Sequence, residues 1–236
     1  PRKIEGIQSA FRLRDTEWSA SFNIERLEQS VQADVLHLYS IGEGMAYGSS
    51  VIHYFISGAP LSTFEVALSD DYFNLEFTGS DVRDWVKTES GYTVSLHNPV
   101  SGAYTLLASY ERPFNAKGET LTFSGVRPSD AQSEQGYTIV TSAYQFRVNP
   151  VLVTGAMNAL EPTEVPAEHR LFIDAPILAA YHYTALPVGL ELELQPLNQG
   201  ETLDLVVDRA SIRTHVSASG EMVTDATYFI KSQGNA

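Results

Sequence analysis

Apolar and polar residues alternate with period two along most of this chain, and no other feature restricts its folding as strongly. Val188, Leu190, Leu192 and Leu194 are apolar, and Gly189, Glu191, Glu193 and Gln195 stand between or beside them. The same rhythm runs through residues 18–24, 31–35, 64–68, 73–77, 92–96, 104–110 and 144–148. Successive side chains of an extended chain point to opposite faces, so each run is a strand with one face on a core and one in water. Residues 51–56 are apolar on both faces and read as a central strand.

Turn chemistry separates the runs. Ser57-Gly58-Ala59-Pro60, Glu89-Ser90-Gly91 and Asn98-Pro99-Val100-Ser101-Gly102 supply the backbone conformations that tight turns need. Strands at this spacing predict an all-β antiparallel sandwich of about fifteen strands in two layers, as one large sandwich or two consecutive ones. Burial is expected for Trp18, Phe22, Ile24, Phe64, Val66, Leu68, Leu190, Leu192 and Leu194. Residues 149–169 break the rhythm with three prolines, Gly155 and several acids. The expected organisation is a main sandwich over 1–150, a linker or crossover over 151–170, and a second β region over 171–236.

Composition narrows the function classes. Twenty-nine acidic residues against 15 basic ones give a net charge of −14, with no basic run to neutralise phosphates, so nucleic acid is excluded as an expected partner. The absence of cysteine removes disulfides, thiolate metal sites and cysteine nucleophiles together. No stretch has the length and apolarity of a membrane-spanning helix; the most apolar one, 175–190, holds two prolines and His182.

The chain also resembles itself. Gly42-Glu43-Gly44-Met45 is followed by Tyr54-Phe55-Ile56, and Gly220-Glu221-Met222 by Tyr228-Phe229-Ile230. Both read as a strand, a Gly-Glu turn and a Tyr-Phe-Ile strand, so a second module would begin near residue 203. The second hairpin is expected to pack onto an edge of the preceding sandwich, which would pair its backbone groups. Ser124-Gly125-Val126 running on to residues 135–140, Ile173-Asp174-Ala175-Pro176 to Leu194, and Val207-Asp208-Arg209-Ala210 to Lys231 resemble segments of very large exported bacterial proteins built from strings of β-sandwich modules. The resemblance implies a bacterial periplasmic or cell-surface location and adjacent modules of the same chain as partners. It implies no assigned activity and no site residues.

Catalytic signatures are missing. Neither His-Glu-x-x-His nor Gly-x-Ser-x-Gly occurs, and the six histidines are scattered, although His37 and His53 lie on strands that could bring them face to face. No cofactor is implied. Calcium is the cation the loops suit best, with Asp81 and Asp84 as its ligands, because hard cations take clustered loop oxygens. Trp85, Tyr92, Tyr104 and Tyr110 lie on neighbouring predicted strands; as an exposed row they would stack on sugar rings, and as alternating strand residues they would line the core. Three functions follow. The first is a non-catalytic structural or interaction module of an exported envelope protein. The alternative is a carbohydrate-binding module, and the third is a polysaccharide-cleaving domain with two carboxylates across a cleft.

Overall fold

The computed structural model describes residues 12, 17–19, 21, 28–42, 44–115, 119–197 and 206–231. The fold is all-β. Its centre is the long hairpin of β1 (Ser30–Ile41) with β2 (Met45–Ala67), followed by β3 (Phe73–Gly79), β4 (Val82–Lys87) and β5 (Tyr92–Pro113), with β3 and β4 both paired to β5. β2 and β5 run antiparallel along their lengths, with register shifts between Ile56 and Leu61 and between Leu61 and Thr63, where the ribbon bends. Gly58 sits at this bend with φ +78°, and a Cβ there would collide with the Glu28 carbonyl.

Short strands β6 (Thr120–Thr122) and β7 (Arg127–Pro128) lead to β8 (Ser133–Thr141), β9 (Phe146–Thr154) and β10 (Met157–Leu160). A 3₁₀ turn (Pro162–Glu164) and the one-turn helix α1 (Ala167–Arg170) follow, then β11 (Ile177–Tyr183) and β12 (Gly189–Pro196). The large sheet has the order β10-β11-β8-β1-β2-β5-β3, with β4 also on β5 and β7 on β2. β6-β12-β9 form a second, three-stranded sheet.

The sheet is mixed rather than wholly antiparallel. β8 lies parallel to β1, pairing Val35 with Gly136, because the chain between them passes through β2 to β7 and re-enters the sheet from the same end. Alternation decides what meets between the sheets. Tyr39, Ile52, Tyr54, Phe64, Leu106 and Tyr110 on the large sheet share one buried cluster with Leu121, Leu190, Leu192 and Leu194 on the small one. A second cluster lies on the opposite face of the large sheet, where Val165 covers Leu36, Ile139 and Ala180.

Phe64, Val66, Leu190, Leu192 and Leu194 are buried as the alternation predicts, and Leu68 packs half-buried against the core. Trp18 is not; it is 63% exposed. Phe22 and Ile24 lie outside the described residues. Strand pairing runs across the expected linker or crossover at 151–170. β11 joins β8 in the large sheet and β12 joins β9 and β6, so residues 171–197 complete the body that begins at β1. Residues 162–173 are a crossover that caps the sheet's outer face.

The last described segment is different. β13 (Val206–Val216) and β14 (Met222–Lys231) pair with each other in a separate two-stranded sheet. Among the described residues it pairs with no strand of the body, contrary to the expected docking onto an edge, and its described side chains are exposed.

Candidate functional site

Three features concentrate chemistry: a buried polar chain, a histidine-lined cleft, and the apolar face of the last hairpin.

The polar chain starts from two inward positions of the central hairpin. His37 follows Val31, Ala33 and Val35 on the core face of β1, and register places it opposite Ser50 on β2. Both are fully buried. Hydrogen-bond counting fixes every proton. Tyr183 donates to Glu134 Oε1 at 2.6 Å, so towards His37 Nε2, 3.4 Å away, its oxygen accepts. The imidazole therefore carries its proton on Nε2, and bare Nδ1 accepts from Ser50 Oγ at 2.9 Å. With that hydroxyl proton committed, Ser50 Oγ accepts from Tyr110 at 3.0 Å and from the Val126 N–H at 3.2 Å. Arg127 Nη1 closes the far end on Glu134 Oε1 at 3.2 Å. Gly125, with φ +66°, leaves room for the imidazole, since a Cβ there would strike the His37 ring.

Burial, with Arg127 adding to it, holds His37 down to about 3, so the ring is neutral in this chain. Burial also raises Glu134 above the usual carboxylate range, against the pull of Tyr183 and Arg127. Ser–His–Tyr–Glu in a row resembles a nucleophile relay, but catalysis needs a substrate to reach the hydroxyl, and Ser50 and His37 are sealed in the core. The chain ties β1, β2, β5, β8 and β11 into one register.

The cleft lies on the outer face of the large sheet, beneath α1, with a volume of about 350 Å³. His53, His169 and His182 line it, with Asp34, Tyr137 and Glu168. His53 lies opposite Asp34 and bonds Thr105 Oγ1 through Nδ1 at 2.9 Å. Gln135 Nε2 donates to Asp34 Oδ1 at 2.9 Å. The Tyr137 ring has His182 at 4.6 Å and His169 at 4.7 Å between centroids. Burial lowers the pKa of His169; Glu168 opposes this and His53 adds to it. Among the described residues, no three His, Asp or Glu side chains converge closely enough to hold a metal ion. The expected encounter of His37 with His53 does not happen, because strand alternation sends one inward and the other outward.

The residues proposed from sequence disperse in the fold. Tyr110 and Tyr104 are buried, Tyr104 in a stack with Phe64 at 5.0 Å, so neither belongs to an exposed platform. Tyr92 is half-buried and Trp85 sits at the surface, each with its ring against Phe77. Asp81 occupies a turn at φ 61° and accepts the His97 N–H on its carbonyl. Asp84 is exposed and its carboxylate pairs with Arg83 at 3.1 Å, which lowers its pKa. A guanidinium on one carboxylate works against a calcium site built from this pair.

Sequence reasoning missed the cleft, since its histidines come from positions 53, 169 and 182 and meet through the parallel pairing of β1 with β8 and the packing of α1. The buried chain did have a signal: His37 and Ser50 are polar residues at inward positions of otherwise apolar alternation.

In the last hairpin, Ala210 pairs with Tyr228, Ile212 with Ala226 and Val216 with Met222, on one face. The other face carries Arg213 opposite Asp225, and Arg209 over the Phe229 ring at 4.2 Å. The central hairpin has the same Ala–Tyr cross-strand pair in Ala33 and Tyr54. Tyr54 and Ile56 are 0% and 3% exposed, whereas Tyr228 and Ile230 are 55% and 50% exposed.

No protein-family model matches the chain, and no curated protein matches it. Among solved structures it is similar to a mutant M1 zinc metallopeptidase from Deinococcus radiodurans bound to a Tyr-Ser-Ala substrate, with a TM-score of 0.41 and 16% identity over 87% of this chain and 48% of that one. A mutant two-domain M1 zinc metallopeptidase bound to L-tryptophan gives 0.41 and 15% over 84% and 47%. The unmutated Deinococcus radiodurans enzyme gives 0.39 and 15% over 87% and 48%. The chain spans about half the length of these proteins. A likeness of this degree assigns neither an activity nor a zinc site to this chain.

Proposed function

We propose that this chain is a non-catalytic interaction module of a larger exported bacterial envelope protein, and that β13–β14 is the element through which it engages a neighbouring β module. The apolar face of that hairpin carries the reading. An isolated two-stranded hairpin is at best marginally stable in water, so a face holding Ile212, Val216, Met222, Tyr228 and Ile230 needs a cover. The matching Ala–Tyr pair supports a cover of the kind the central hairpin has, a packed β layer. The sealed Ser50–His37 contact favours a structural role over a catalytic one. Carbohydrate recognition is disfavoured as the alternative, since two of its four proposed aromatic residues lie in the core.

A photo-crosslinking residue placed at Ile212 in the intact polypeptide tests the docking, with Arg213 on the opposite face as the control. A discrete adduct within the polypeptide from 212 and none from 213 is expected. Equal adducts from both positions, or none from 212, would reject the docking face. Location is tested separately by cell fractionation, where a cytosolic polypeptide would reject export.

A further inference from the structure

Half of the chain's six histidines line one cleft beneath α1, and they come from three elements that only the fold brings together. The segment above them, residues 162–173, is held lightly. Among the described residues its backbone hydrogen bonds run within itself or to the adjoining Glu161, as in Phe172 N–H to His169 and Glu164 N–H to Glu161. Its hold on the sheet comes from Val165 and Ile173, which pack on the cluster of Leu36, Ile139 and Ala180, and from the His169 ring on Tyr137.

We propose that residues 162–173 form an acid-released cap, which lifts from the sheet at mildly acidic pH and bares the apolar patch of Leu36, Ile139 and Ala180. The groups around His169 set the balance. β1 presents Asp34, β2 His53, β8 Tyr137 and β11 His182, and α1 itself adds Glu168. The cleft thus gathers three imidazoles, His169 among them, with two carboxylates. Asp34 is already engaged by Gln135, which limits its use as a counter-ion.

Docked, His169 resists protonation because it is half-buried and lies near His53; lifted, it is solvated and protonates at the ordinary imidazole pH. Its contribution to docking is therefore complete above about pH 6.5 and is lost as the pH falls through the lower value of the docked state. Release needs no covalent step. It exchanges the apolar contacts of Val165 and Ile173 and one ring contact for hydration of a charged imidazole.

Hydrogen exchange of the whole chain, corrected for the intrinsic rate, tests the proposal at about pH 7.5 and 5.5, on either side of the imidazole range. Amides of 162–173 should open several-fold more readily at the lower pH while Ile139 and Val140 stay protected. His169→Phe keeps a ring on Tyr137 and cannot titrate, so its cap should stay docked at both values. If that variant fails to dock at the higher pH, His169→Gln takes its place with the same criterion. An acid response that persists in the non-titrating variant, or equal acid-induced exchange of the Ile139 amide, would overturn the proposal. So would a wild-type cap indifferent to pH.

Discussion

Ser50 serves three partners with one oxygen: it donates to His37 and accepts from Tyr110 and from the Val126 N–H. Ser50→Ala leaves the imidazole nitrogen, the phenol and the amide without that oxygen in a dry core. The expected loss is about 1–3 kcal/mol, read as a lower urea midpoint with an unchanged slope. The same cluster predicts an acid limb. The folded state holds His37 down at about 3 from an ordinary 6.5, so it refuses a proton that the unfolded chain accepts. Stabilisation from this group is complete above pH 6.5 and declines towards pH 3. At about 1.4 kcal/mol per pH unit the whole effect is roughly 4–5 kcal/mol. Unfolding measured from neutral pH downward should show a shallower acid limb in His37→Gln, which has no titrating ring; an unchanged limb would mean the imidazole is not what refuses the proton. At this scale the alternation revealed which side of β1 faces inward, and hence that His37 and Ser50 sit among apolar neighbours. It could not reveal that Tyr183 and Glu134, about a hundred residues downstream or more, would meet them.

Strands are autonomous enough to be read locally, and their neighbours are not. β12 shows the first point: Leu190, Leu192 and Leu194 alternate in sequence and are all buried in the structure. Leu192→Ala should cost on the order of 2–5 kcal/mol by thermal unfolding, because the close-packed sheets around it cannot collapse into the space. β11 shows the second point. Its residues read as a strand beyond a boundary, yet it hydrogen-bonds to β8 in the main sheet, since pairing across a long connection leaves no mark on local pattern. The hairpin β13–β14 misled in the other direction: its alternation correctly gives two strands with an apolar face, and that face remains in water. Removing residues 206–231 should therefore leave the unfolding midpoint of the body nearly unchanged and reduce binding of a hydrophobic dye. A large drop in the midpoint would show that the hairpin supports the body after all.

Taken whole, the molecule combines a strongly acidic surface with a mixed sheet whose centre is assembled late. The charge of −14 predicts no electrophoretic shift of duplex DNA even at low salt, where attraction between unlike charges reaches furthest. The parallel seam has a consequence for synthesis. β1 pairs with β2 as soon as both exist, but its other neighbour, β8, begins at Ser133, opposite Gln32. A ribosome adding roughly 5–20 residues per second needs about 5–20 seconds to bridge that interval of about a hundred residues. Throughout that time the nascent chain presents an unsatisfied strand edge beside Val35 and Tyr39, a template for any extended segment nearby. Nascent chains halted before Ser133 should thus be captured by chaperones or self-associate, while chains released after Tyr183 should not, because β8 and β11 have by then closed the seam. The order in which this polypeptide is made, rather than its final packing, sets the interval in which it is most exposed to misassembly.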